Sequence, residues 1–180
     1  MELPARLLGL VLLLPPCAHA SDVIRYKIPN SDFPIAQAVE IPAGQSVIFL
    51  SGAGAQLLDK AAPGETPAAY GDTKTQTVST LNTIAANLKG MGLEMKDVVK
   101  MQAFLVGDPA HDGKIDFAGF MDGYKQFFGT KEQPNLPSRS TVKVAGLVNP
   151  GWLIEIEVTA VRPPGNAAAA KAAGREPPQK

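Results

Sequence analysis

Pro134-Asn135-Leu136-Pro137-Ser138-Arg139-Ser140-Thr141-Val142, followed by Leu153-Ile154-Glu155-Ile156-Glu157-Val158, is the stretch on which the fold turns. Two prolines stiffen an approach turn, after which Ser140 to Ala145 reads as a strand. From Leu153 to Val161 the chain alternates: Ile154, Ile156, Val158 and Ala160 face one way, Glu155, Glu157 and Thr159 the other. Period two with one apolar face is the pattern of a half-buried strand. Arg139 therefore opens one strand while carboxylates stud another. With the two strands as neighbours, a fixed cation near one or two carboxylates suits a small pocket that grips an anion and handles water or protons.

Working outward, Asp116 opens a helix with Phe117, Phe120, Met121, Tyr124, Phe127 and Phe128 on one stripe, closed by Gly129. At helical spacing such an aromatic stripe is core rather than a ligand box. Val98 to Val106 is a strand with Val99, Met101, Ala103 and Leu105 on one face, stopped by Gly107-Asp108-Pro109. A first helix starts at Asp72 or Thr73, with Gln76 placed for a capping box from Thr73, and runs to about Leu88 before Gly90 and Gly92. Its buried face is Val78, Leu81, Ile84, Ala85 and Leu88. Ala36 to Ile41 and Ser46 to Ser51 are short strands, the run Val47 to Leu50 reading as buried. Gly52 to Gly71 is a loop long enough to be functional or mobile. Two helices interleaved with several strands predict an α+β sandwich, a mixed sheet with both helices packed on one face. The opposite face carries glutamates and bulky side chains such as Phe104, which is the composition of a face that meets another subunit, so a homo-oligomer is expected.

The ends of the chain read differently. Arg6, the apolar run Leu7 to Leu14 and the small-residue pattern Ala18-His19-Ala20 form a secretory signal over residues 1–20, with Ser21 as the first mature residue. The run is shorter than the roughly 20 residues a membrane span needs, so no membrane association is expected after cleavage. Acylation of Cys17 is the alternative, though Pro15 and Pro16 fit a lipoprotein boundary badly. Export across an inner membrane, to a periplasm, is the expected localisation. Cys17 is the single cysteine, so cleavage at Ala20 removes disulfides and thiol chemistry together. Residues 21–162 make one domain, and 163–180, rich in Pro and Ala, read as a disordered tail.

The inventory of reactive groups is short. His111 is the only histidine after the signal and lies in the polar loop Ala110-His111-Asp112-Gly113 with no partner in view, which disfavours both a catalytic triad and zinc. Gly52-Ala53-Gly54 lacks the lysine and helix start of a phosphate loop. A formal net charge of zero gives no electrostatic case for nucleic acid. Glu155 and Glu157 share a strand face roughly 7 Å apart, unlike glycosidase pairs, which straddle a sugar; solvated or interface-paired glutamates remain the plain alternative for Glu157. Arg139, held rigid at a strand start, presents a planar fork of donors that matches a carboxylate, or else makes a surface or inter-subunit ion pair.

Pro34-Ile35-Ala36-Gln37-Ala38, Ile48-Phe49-Leu50-Ser51-Gly52, Gln76 to Leu88, Gly92-Leu93 to Lys100, Asp116-Phe117 to Phe127-Phe128, Pro137-Ser138-Arg139-Ser140 and Ile154-Glu155-Ile156-Glu157 follow in an order and spacing that resembles the reactive-intermediate deaminases, the Rid or YjgF/L-PSP family. The resemblance implies a chorismate-mutase-like α+β subunit, a homotrimer with a pocket at each subunit interface, and hydrolysis of 2-imino acids or their enamine tautomers, such as 2-aminoacrylate, to 2-oxoacids and ammonia. It implies no cofactor and no metal, and a small carboxylate as the partner molecule. Carried over by position, Arg139 would bind the substrate carboxylate, Glu155 would position the attacking water, and Gly52 would face the ligand through its backbone. Ribonuclease activity ascribed to relatives lacks a histidine pair and a basic patch here. The sequence departs from the family where a tyrosine becomes Ile35, the asparagine of the second helix becomes Met121, and the cysteine two residues after the arginine becomes Thr141. With a phenol and an amide lost, Ile35 and Met121 line an expected substrate pocket that is more apolar than usual, with Tyr70 or Tyr26 available to replace the lost hydroxyl, while Thr141 is expected among the catalytic residues with Arg139 and Glu155.

Overall fold

The structure, a computed structural model, describes residues 22–163. The expected signal segment and, beyond Pro163, the expected tail lie outside the described residues. In chain order the elements are β1 (Ile24–Lys27), β2 (Ala36–Glu40), β3 (Ser46–Phe49), β4 (Ala53–Gly54), α1 (Thr73–Gly90), β5 (Val98–Leu105), α2 (Phe117–Tyr124), β6 (Ser138–Lys143) and β7 (Ile154–Arg162). Seven strands form one sheet in the order β1-β2-β6-β5-β7-β3, with β4 pairing on β7 in line with β3. Both β2 and β5 run parallel to β6 while the other pairs are antiparallel, so the sheet is mixed.

Register decides the faces. Met101 lies opposite Arg139 on one side and Val158 on the other, and Ala103 lies opposite Thr141 and Ile156. Residues paired across neighbouring strands share a face, and this one packs on both helices. Leu81, Ile84 and Leu88 of α1, Phe120, Met121 and Tyr124 of α2, and Met101, Ala103, Ile154, Ile156 and Val158 of the sheet form one core cluster. The helices meet where Gly123 approaches Thr77, whose Cβ would lie 2.7 Å from any Cβ added to the glycine. The α+β sandwich with two helices on one sheet face is therefore the observed architecture.

Several details differ from expectation, each for a physical reason. β1 was not foreseen, because Ile24-Arg25-Tyr26-Lys27 is mostly polar; it exists through antiparallel pairing with β2 and through Arg25. The Arg25 guanidinium donates to the carbonyls of Val98 (3.1 Å), Leu136 (2.7 Å) and Lys96 (2.9 Å). β6 starts at Ser138, two residues earlier than propensity indicated, because Ala36 pairs with Ser138 and its N–H donates to Pro137. α2 stops at Tyr124, and Phe127 and Phe128 continue as turns whose N–H groups donate to the Tyr124 carbonyl. The helix α1 is capped by Asp72, whose carboxylate accepts from the Thr75 N–H at 2.7 Å, so no capping box forms at Thr73. Gln76 instead donates to Gly71 and Gly151 and accepts from the Leu153 N–H, clamping the turn that leads into β7.

The run Val47 to Leu50 is only half buried. Ile48 and Leu50 pack on the core, while Phe49, paired with Thr159, points to the open sheet face and is 80% exposed in the single chain. The stretch 52–71 is neither all loop nor loose. Ala53 and Gly54 pair with β7, Leu58 and Asp59 both donate to the Ala69 carbonyl, and Ala55, Ala69 and Tyr70 form a second small core with Ala62 and Trp152.

Candidate functional site

The turn before β6 is held at three points. Gln133 donates to the Phe127 and Asn135 carbonyls, both at 3.1 Å, Arg25 fixes the Leu136 carbonyl, and the Ala36 N–H takes that of Pro137. Arg139 leaves this turn as the second residue of β6 and, by register, turns inward toward α2. Its guanidinium carbon lies 4.4 Å from the ring centre of Tyr124, 4.9 Å from that of Phe120 and 5.5 Å from that of Phe33. Nη2 donates to the Met121 thioether sulfur at 3.2 Å, and Nη1 is buried with no hydrogen-bond partner. Among the described residues no carboxylate forms an ion pair with Arg139.

Burial pushes the Arg139 guanidinium below its ordinary value, with the Tyr124 phenol partly opposing the shift. Burial pushes the Tyr124 phenol well above the ordinary tyrosine range, so it stays a protonated donor, and its hydroxyl donates to the Pro34 carbonyl at 2.8 Å. An arginine remains cationic at neutral pH even so. The niche is thus a desolvated cation among π faces with one unoccupied donor edge, an arrangement that favours a planar anion.

Glu155 is elsewhere. It pairs across β7 with Phe104 and Gly54, on the face opposite Arg139, and β5 lies between β6 and β7. The expectation of a cation and carboxylates on neighbouring strands is therefore corrected: one subunit keeps Arg139 and Glu155 on opposite sides of the sheet. The Glu155 carboxylate lies directly over Gly52, where an added Cβ would run into it, and the indole of Trp152 lies over Gly54, 2.5 Å from the equivalent position. Gly52 is thus exposed backbone beneath a carboxylate, and Gly54 is buried beneath an aromatic wall. The same open face carries a groove of about 430 Å³ lined by Phe49, Ser51, Lys100, Gln102, Glu157 and Thr159.

Of the predicted site residues, Arg139 and Met121 are in contact, and Thr141 follows on the same face with its hydroxyl buried and unpaired. Ile35 packs on the core beside the Ala36–Ser138 bridge. Gly52 and Glu155 form a separate pair. Neither tyrosine proposed as a replacement phenol reaches Arg139: Tyr70 accepts from Asn149 at 2.6 Å, and Tyr26 donates to Glu40 at 2.6 Å. The phenol beside Arg139 is Tyr124, which, like Phe120, reads in sequence as plain core and turns out to be both core and wall. Phe33 carried no signal beyond its place beside Pro34. His111 has a partner after all: Asp108 accepts or shares its Nδ1 contact at 3.1 Å, within a turn that Asp108 also caps at Ala110.

Against this geometry the comparisons with known proteins agree on one class. The profile of the family described as Endoribonuclease L-PSP matches residues 29–162. A RutC family protein of Haemophilus influenzae is 34% identical over 136 residues, covering 76% of this chain and 92% of its own. A protein of Escherichia coli K12 named "Putative reactive intermediate deaminase TdcF" has the same identity and the same coverage, 34% over 136 residues. Among solved structures, YyfB of Yersinia pestis, a Rid-family protein of unknown function, superposes with a TM-score of 0.56 at 23% identity, covering 77% of this chain and 98% of its own. The chain belongs to the Rid (YjgF/L-PSP) family.

Proposed function

We propose that this protein hydrolyses 2-imino acids, or their enamine tautomers, to 2-oxoacids and ammonia, in sites assembled between copies of the chain. The observation that carries this reading is the unoccupied Nη1 edge of Arg139 in a niche without a counter-anion. The substrate carboxylate would take Nη1 and displace the weak thioether acceptor on Nη2, giving two parallel charge-assisted hydrogen bonds. Glu155 of a neighbouring copy, over its Gly52, would hold a water against the C=N carbon. Water adds to that carbon while the nitrogen gains a proton; the carbinolamine then expels ammonia and leaves the carbonyl of the 2-oxoacid. The opposite-face placement of Arg139 and Glu155 favours an inter-subunit site, and the family resemblance supports a trimeric ring as its frame. The Phe49-bearing open face is the surface such a ring would cover.

The test is a coupled assay in which a dehydratase generates 2-aminoacrylate and pyruvate release is followed. The protein should accelerate release and Arg139→Ala should abolish the acceleration; an undiminished rate in Arg139→Ala contradicts the assignment. A second reading, capture of a small carboxylate without turnover, is favoured by the fact that the Arg139 niche is complete within one subunit. Tight calorimetric binding of 2-oxoacids with no acceleration would select it. We also propose that the domain acts outside the cytoplasm after cleavage behind Ala20; N-terminal sequencing of protein from the exported fraction reads Ser21 first if so, and Met1 if not.

A further inference from the structure

Resting on the imine-hydrolase reading, we propose that this site selects 2-imino acids with bulky apolar side chains, and that Phe33 and Met121 set the selection. Both residues touch the Arg139 guanidinium, Met121 through its sulfur and Phe33 through its ring. Both also line a groove of about 500 Å³ completed by Pro34, Phe128 and Gly129, with the exposed Asp32 and Lys125. A carboxylate seated on Arg139 puts its side chain within a few bond lengths of the same two residues. The contacts waiting there are a π face and a thioether, and the neighbouring Phe120 and Tyr124 add rings rather than polar groups.

The polar atoms that touch the guanidinium are engaged or ill suited to a substrate hydroxyl, and the unpaired Thr141 hydroxyl lies outside the groove lining. Tyr124 commits its hydroxyl to the Pro34 carbonyl, and Met121 offers only a weak sulfur acceptor. A small or polar side chain would leave the groove wet and gain nothing. A branched or aromatic one would remove apolar surface from water. Phe33 is 41% exposed in the single chain, so its ring is free to shift as a ligand enters, and methionine adapts its shape at little cost.

The test compares imines made in situ by an L-amino acid oxidase from leucine, phenylalanine and alanine, with semicarbazide competing for each imine. The leucine and phenylalanine imines should be hydrolysed with kcat/KM at least about tenfold above the alanine imine, the discrimination a hydrophobic pocket gives for added methylenes. Phe33→Ala should collapse that ratio, read between substrates on the same variant so that any weakening of the shared Arg139 anchor cancels. Equal or reversed preference in the unaltered protein, or a ratio untouched by Phe33→Ala, overturns the selectivity while leaving hydrolysis standing. Should no imine be hydrolysed, the hydrolase reading fails, and calorimetry decides the selectivity: the 2-oxoacid of leucine should bind at least about tenfold more tightly than pyruvate. Equal binding overturns it.

Discussion

At the scale of single residues the structure turns on one cation. Removing a guanidinium from water costs several kcal/mol, and three cation–π contacts return about 0.5–2 kcal/mol each, so Arg139 without an anion is tolerated rather than stabilising. Replacing it should therefore separate function from stability. Arg139→Met is expected to lose calorimetric binding of 2-oxoacids while its melting temperature stays level or rises; a large fall in melting temperature would make the arginine a structural strut. Gly52 makes the complementary case. A Cβ there meets the Glu155 carboxylate, and a catalytic group misplaced by about 1 Å loses on the order of a hundredfold in rate. Because Gly52 is exposed, Gly52→Ala should reduce turnover on that order with an unchanged melting curve, and full activity in the variant would remove Glu155 from the mechanism.

Single elements show how the site is held and how much of it could be read in advance. Helix α1 is capped by Asp72, whose carboxyl is held below the ordinary aspartate value first by the hydrogen bond from the Thr75 N–H. A depressed folded-state value means stabilisation that is complete above the unfolded value, about 3.9, and is lost as pH falls through the folded one. Asp72→Ala should cost about 1 kcal/mol at neutral pH, and the gap in melting temperature from the parent should narrow as pH falls below the ordinary carboxylate range, about 3.9; a gap that stays constant into acid contradicts the capping role. Periodicity made α1, β5 and β7 legible, because each buries one apolar face at regular spacing. It missed β1, whose pairing rests on Arg25 and three distant carbonyls. Arg139 and Glu155 were legible as separate residues through family motifs, yet their opposite placement was not, since it follows from the register that sets Arg139 beside Met101 and Met101 beside Val158 across β5, which no local pattern encodes. Tyr124 was hidden for a related reason: an aromatic at helical spacing is buried either way, and only the arrival of β6 gives its face to a guanidinium.

At the scale of the whole molecule, one subunit carries a desolvated cation niche on the helix side and a carboxylate over the Gly52 backbone on the open side, the two halves of the site proposed above. Neither half does imine hydrolysis alone under the proposed mechanism, so assembly would be part of the chemistry rather than only of stability. Phe49, a large apolar side chain left exposed on the open face, would gain from a neighbour. The most direct test is subunit complementation. Arg139→Ala and Glu155→Gln, each expected to be inactive alone, are unfolded together, refolded as a mixture, and assayed for imine hydrolysis. In a closed ring with one residue drawn from each neighbour, random mixing restores about one site in four, so about a quarter of the parental rate should return. A mixture that assembles fully yet stays inactive would contradict a site built from two copies.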